Sequence, residues 1–297
     1  MAPNRSLGRD VLFYDILQPD KALGGLMLTP SFTERTFLFA LGILIISASP
    51  YDVYLRGCDV PLQSTDQPLR PGEYDIKPTS SDGSRIFITN ELFITRVLSH
   101  TVSGRDERFR RCVRERDRKC VISGVVNTKR RVDRDDWSSY HAAHIFPLSS
   151  EEWFIANGFS RWITNREGDH DIGINSCQNG LLMVSNIHEQ FDNFSISINP
   201  DDGYRIVTFL DDLFNVGGRQ LDPVCRDPNN EQSARDELLR WHFRQAVLAN
   251  MRGAGEPIFE TDFPPGSDMV GEILGGPEAA KRMAAELSSR LNGLSLS

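Results

Sequence analysis

The groups in this sequence best suited to chemistry are His144, Asn179, His188 and Asp192, with His141 close to the first of them. Neutral imidazole can take up a proton near physiological pH, and imidazole nitrogen and carboxylate oxygen both ligate divalent ions. A strand-like run ends at His144-Ile145 ahead of Pro147, and Asn179 follows after a long loop. Nine residues later comes His188, and Asp192 lies four beyond it. On a helix that spacing lets both side chains reach one point beside the axis. Each residue has an ordinary reading too. A lone histidine packs or solvates, Asn179 before Gly180 makes a turn or an N-cap, and Asp192 ends its helix. The order and setting of the four together are less ordinary.

The elements that must position them are legible in outline. Residues 140–148 (YHAAHIFPL) read as a short strand stopped by Pro147. Alternation places His141 on the side of Ala143 and opposite His144. Residues 178–192 read as a loop feeding a helix, with Leu181, Val184, His188 and Phe191 on one inward stripe. Residues 194–198 alternate (FSISI), Asp202-Gly203 makes a turn, and 204–209 returns as a hairpin. A long helix over about 233–252 follows, anchored by Trp241, Val247, Leu248 and Met251 and ended by Gly253. The tail carries a Pro/Gly-rich stretch and a short amphipathic helix near 277–291.

Upstream, residues 104–134 hold twelve Lys or Arg against five acids, a net +7 inside a chain whose net charge is −8. The remainder is therefore at −15, so any phosphate-binding face must be local. The plain reading of such a run is a solvated helix face with Arg–Glu pairs. Ser103 is placed to cap that helix, and Phe109 with Val113 to dock it.

The first hundred residues form a separate unit without a chemical motif. Short strands are expected over 12–17, 51–55, 74–76 and 85–89, and a helix over 32–46 capped by Ser31 or Thr33. The longest apolar stretch, 36–48, is too short for a bilayer core, which needs about 20 residues, and reads as a buried helix or a helix–strand pair. The 297 residues are 39% apolar and 25% charged, the profile of a globular protein. No apolar region precedes a small-residue cleavage site near the start, so an intracellular protein, nuclear or cytoplasmic, is expected. Five cysteines, widely spaced and without a C-x-x-C pair, read as buried thiols.

The run RDRKCVISG, then HAAHIFPLS, then NGLLMVSNIHEQFD resembles the HNH endonucleases, and most closely the branch common in fungal proteins. The likeness is specific over about 106–209. It implies an α+β fold with a central ββα-metal motif, in which a two-stranded ribbon and a helix pin one divalent ion. Around that motif the expected layout is a β-rich N-terminal module (1–100), the HNH-like domain (101–215) and a C-terminal helical extension (216–297). The resemblance makes His144 the general base toward the attacking water, Asn179 the residue that orients its ring through a backbone contact, and His188 a metal ligand. Mg²⁺, Mn²⁺ and Zn²⁺ all suit such donors. Nucleic acid is the partner implied, with Arg105, Arg108, Arg110, Arg111, Arg114, Lys129, Arg130 and Arg131 toward backbone phosphates.

Two departures from the family stand out. Many members carry Asp or His immediately before the base, where this chain has Ala143. Asp192 is the expected replacement ligand and His141 a weaker one. Many also brace the ribbon with a four-cysteine zinc, of which only Cys120 has a counterpart here, so packing must hold the ribbon. Two other readings keep the fold: an enzyme acting on a small molecule with the same histidines, or a non-catalytic binding module.

Overall fold

The computed structural model describes residues 8–80, 85–91, 93–94, 104–166 (104–106 by backbone alone), 171–253, 266, 268–276, 279–280, 282–283 and 287. The cap expected at Ser103, the side chain of Arg105 and most of the helix expected at 277–291 lie outside these. The protein is mixed α+β, with small sheets and several helices, and divides into two compact units. One comprises Met1–Thr95, Val207–Asp212 and Arg244–Ser288, the other Arg96–Ile206, Leu213–Phe243 and Ser289–Ser297. No helix among the described residues is long and apolar enough to cross a membrane.

The first unit opens with β1 (Val11–Asp15), β2 (Ala22–Leu26), α1 (Glu34–Leu44), β3 (Ile45–Ser47), β4 (Tyr51–Leu55), β5 (Gly72–Pro78) and β6 (Ile86–Ile88). Its main sheet has the order β2-β1-β5-β4, with β1 and β5 parallel and the outer pairs antiparallel. α1 begins at Thr33, whose hydroxyl accepts from Thr36 N, so Thr33 rather than Ser31 is the cap. The helix buries Phe37 against Phe13 and Tyr74, at ring-centroid separations of 6.2 and 5.1 Å. It ends where the β-branched pair Ile45-Ile46 turns extended as β3, so the apolar stretch is a helix–strand pair. β2 was not expected from a segment containing Gly24-Gly25, which lowers strand propensity. The reason for Gly24 is space: a Cβ there would lie 2.4 Å from the Phe13 ring.

In the second unit lie α2 (Gly104–Asp117), α3 (Lys129–Val132), β7 (Tyr140–His144), α4 (Glu151–Ala156), β8 (Gly180–Val184), α5 (Ser185–Asp192) and β9 (Ile196–Asn199). β10 (Arg205–Thr208) and α6 (Asp236–Met251) have residues in both units, and α7 (Met269–Gly275) follows in the first. The strands expected either side of Asp202-Gly203 are β9 and β10. Residues 180–184 correct the expectation of a loop and a helical stripe: they are a strand, antiparallel to β7, in register Tyr140↔Val184 through His144↔Gly180. Leu181, Leu182 and Met183 are all fully buried, and an apolar run buried on both faces has no period to distinguish strand from helix. β7 stops at His144, short of Pro147, where Ile145 N donates to Asn179 O instead.

Below the ribbon, Phe146 anchors an aromatic cluster with Trp153, Phe154, Phe159 and Trp241, the last at 4.1 Å between centroids. Cys120, Cys177 and Cys225 are buried thiols as expected, but Cys112 is only half-buried and Cys58 is exposed.

Candidate active site

β7, β8 and α5 form a ribbon followed directly by a helix, and α2 packs across the ribbon by its apolar edge. Phe109 and Val113, both buried, occupy the space that a side chain at position 180 would fill. A Cβ on Gly180 would lie 2.5 Å from the Phe109 ring and 2.7 Å from Val113. The φ of −136° there suits any residue, so the glycine is required by space alone. Gly180→Ala is therefore expected to overpack the contact, at a cost of about 1–3 kcal/mol, and to push Phe109 off its neighbour. A urea titration followed by tryptophan fluorescence checks this, and a midpoint equal to wild type would contradict it.

That neighbour is His144. Its ring stacks on Phe109 at 3.8 Å between centroids and 11° between planes, and its Nε2 lies 3.2 Å from Asn175 Oδ1. An amide oxygen only accepts, so this contact puts the hydrogen on Nε2 and leaves Nδ1 as the basic nitrogen. Asn179 is fully buried and holds the backbone that follows. Its Nδ2 donates to Phe146 O (3.0 Å) and Ile174 O (2.8 Å), and its Oδ1 accepts from Phe146 N (2.8 Å). The segment next to His144 is thus tied to the loop that carries Asn175.

His188 is drawn to His141. Their Nδ1 atoms are 3.0 Å apart with the rings perpendicular, and His188 Nε2 lies 3.1 Å from Asp192 Oδ2. Burial is the main cause that holds the His141 imidazole below its ordinary pKa, with the charge of His188 next. The structure therefore brings His141, His188 and Asp192 into one row, and it sets His144 against Phe109 and Asn175. Asn175 had no sequence signal beyond being one polar residue in a loop.

The basic segment divides by neighbour. Arg108 and Arg111 on α2 and Arg130 on α3 are exposed. Arg110 lies 3.9 Å from Glu107, and Arg114 sits over the Trp137 ring at 5.5 Å. Lys129 pairs with Asp133, and Arg131 with Asp136, whose carboxyl this partner holds well below the usual carboxylate range. Arg116 is not on a solvated face: it is buried against Asp117.

Residues 120–199 match the family described as HNH endonuclease, and residues 8–82 match a domain of unknown function, DUF8573. The chain carries an HNH endonuclease family domain. No curated protein and no solved structure matches it. The match covers β7, β8, α5 and β9, and with them His141, His144, Asn175, Asn179, His188 and Asp192. The HNH domain points to nuclease-type function in general and to nucleic acid as the partner.

HNH nucleases typically use divalent metals. Among the described residues no three His, Cys, Asp or Glu side chains converge to hold an ion. Two imidazole nitrogens do meet, at His141 and His188, so the donor chemistry suits a divalent ion at that point. Asp192 approaches His188 from the other ring nitrogen.

Proposed function

We propose that the protein is a metal-dependent nuclease that hydrolyses phosphodiester bonds in DNA or RNA, with His144 as general base. The observation that carries the reading is the His144 ring inside the HNH-matching segment, its Nε2 on Asn175 and its face on Phe109. A ring held on one edge and one face keeps its basic nitrogen in a fixed direction, which general-base catalysis needs. His144 Nδ1 takes a proton from water, the water oxygen bonds to phosphorus, and one P–O ester bond breaks. The departing oxygen is then protonated from solvent. Asn179 acts at one remove, by fixing the backbone at 145–146. A divalent ion held through His188 would supply charge to phosphate oxygens.

Arg108, Arg111 and Arg130 are among the exposed cations of this segment that would meet the nucleic-acid backbone. Lys129 and Arg131 already face carboxylates and would contribute less. Each phosphate neutralised releases counterions, so log K should fall linearly with log salt, at a slope of about −0.9 per contact on duplex DNA.

The test is incubation of the full chain with supercoiled plasmid and with single-stranded RNA, each with Mg²⁺, Mn²⁺ or Zn²⁺. Cleavage of either substrate that weakens as salt is raised is the expected result. No cleavage of either with any ion would overturn the reading.

A further inference from the structure

Beside the buried Arg116, two thiols meet. Cys112 stands on α2 one turn before Arg116, and Cys177 opens the short turn Cys177–Asn179 that feeds β8. Arg116 ties the neighbouring segments together, since its Nη1 donates to Cys177 O at 2.9 Å and to Gln232 O at 2.7 Å. Gln232 Oε1 in turn accepts from Cys112 Sγ (3.4 Å) and from Asn165 Nδ2 (2.7 Å). Within this frame the Cys112 and Cys177 thiols are in hydrogen-bonding contact. Cys225, the third thiol close to Arg116, is turned instead to Asp222 O at 3.2 Å. The pair differs in access: Cys112 is half-buried, whereas Cys177 is 3% exposed. Contact with Cys177 draws the Cys112 thiol below its ordinary pKa, burial opposes this, and the charge of Arg116 assists it. The same contact, together with burial, pushes the Cys177 thiol up. One sulfur is thus reachable and ionises first, and the other waits behind it. A reactive thiol with a second cysteine poised beside it is the arrangement that oxidants convert to a disulfide.

We propose that Cys112 and Cys177 are a peroxide-reactive pair that closes reversibly to a disulfide and so latches α2 to the turn carrying Asn179. The Cys112 sulfur attacks one oxygen of a hydroperoxide, the O–O bond breaks, and the departing oxygen leaves as water or an alcohol once protonated. Cys112 is then a sulfenic acid. The Cys177 sulfur attacks the Cys112 sulfur, the S–O bond breaks, and the hydroxide released takes the Cys177 proton to become water. The two thiols give up two electrons, the hydroperoxide accepts them, and a dithiol reductant reverses the change. Both cysteines belong to the second unit. The latch joins α2, whose Phe109 stacks on His144, to the turn whose Asn179 fixes the backbone at Phe146. A covalent link between segments far apart in the chain removes freedom from the unfolded state, so the oxidised unit should resist urea better. None of this depends on whether the protein cuts nucleic acid.

The test uses the full chain carrying Cys58→Ser, which removes the exposed thiol and leaves four of the five cysteines. The protein is reduced, freed of reductant and treated with hydrogen peroxide in slight excess. Thiols are counted after denaturation, and disulfides are located by peptide mass mapping. The four thiols are expected to fall to two, with Cys112 linked to Cys177 in the monomer, and dithiothreitol should restore all four. The urea midpoint of tryptophan emission should be higher in the oxidised protein than in the reduced one. On the same background Cys112→Ser should lose thiols at least about tenfold more slowly. Cys177→Ser should stop at a Cys112 sulfenic acid that dimedone traps. A count that stays at four, a bridge from Cys112 to Cys120 or Cys225, or a loss that dithiothreitol does not reverse would each overturn the proposal. An oxidised midpoint at or below the reduced one would do the same, since a strained cross-link is no latch. The mapping needs no substitution at either thiol, so it decides the pairing even where a serine variant does not fold.

Discussion

His144→Ala is expected to lower the rate of plasmid nicking by about 10²–10⁴-fold, the usual contribution of a positioned general base. The substitution removes Nδ1, the nitrogen left basic by the contact between Nε2 and Asn175 Oδ1. It also uncovers one face of Phe109. Stability should fall far less than activity, since the ring is only partly buried and stands at the end of β7. The measurement is the initial nicking rate at fixed ion and salt, beside the urea midpoint of each protein. Added imidazole should restore part of the lost rate, because the cavity left beside Phe109 admits the ring that was removed. Asn175→Ala should give a smaller loss, with the pH profile displaced, as a positioning residue would. Equal nicking by wild type and His144→Ala would remove His144 from the role of base.

Where the sequence was legible, and where it was not, follows from how each signal arises. His144, Asn179 and His188 stand out in the sequence because an unusual order of polar residues survives in one dimension. Phe109 and Val113 were readable as a docking edge because the two residues stand four apart on a helix, and both are buried. β8 was not, because Leu181, Leu182 and Met183 are buried on both faces and leave no alternation to count. The setting of His188 is another case. Spacing along a helix made Asp192 the obvious ligand, but spacing alone does not say which ring nitrogen a side chain reaches. The structure places Asp192 at Nε2 and His141 at Nδ1. Sequence cannot see Asn175 at all, since its part depends on a fold that returns residue 175 to the end of β7.

The same limit hid a buried ion pair of the second unit. Arg116 lies in a run of alternating charges that reads as a solvated helix face, yet its side chain is 2% exposed and that of Asp117 is fully buried. All five guanidinium hydrogens are placed. Nε and one Nη2 hydrogen go to Asp117, two Nη1 hydrogens to Cys177 O and Gln232 O, and the second Nη2 hydrogen to Gly180 O. Asp117 Oδ2 accepts in addition from Leu182 N. One ion pair therefore joins the end of α2 to β8, to the turn that carries Asn179, and to the loop before α6. Breaking such a pair leaves a buried charge uncompensated and costs about 3–5 kcal/mol, a large part of the 5–15 kcal/mol typical of a domain. Asp117→Ala is expected to lose that much, as the guanidinium would remain with three carbonyls and no counter-charge. A double substitution to apolar residues of similar size, Arg116→Met with Asp117→Leu, should cost less than the two single changes together. All four tryptophans (Trp137, Trp153, Trp162, Trp241) fall in the second unit, so tryptophan emission in urea reports that unit alone. A loss under 1 kcal/mol in Asp117→Ala would mean that water replaces the carboxylate, and that the ribbon is held by apolar packing without help from the ion pair.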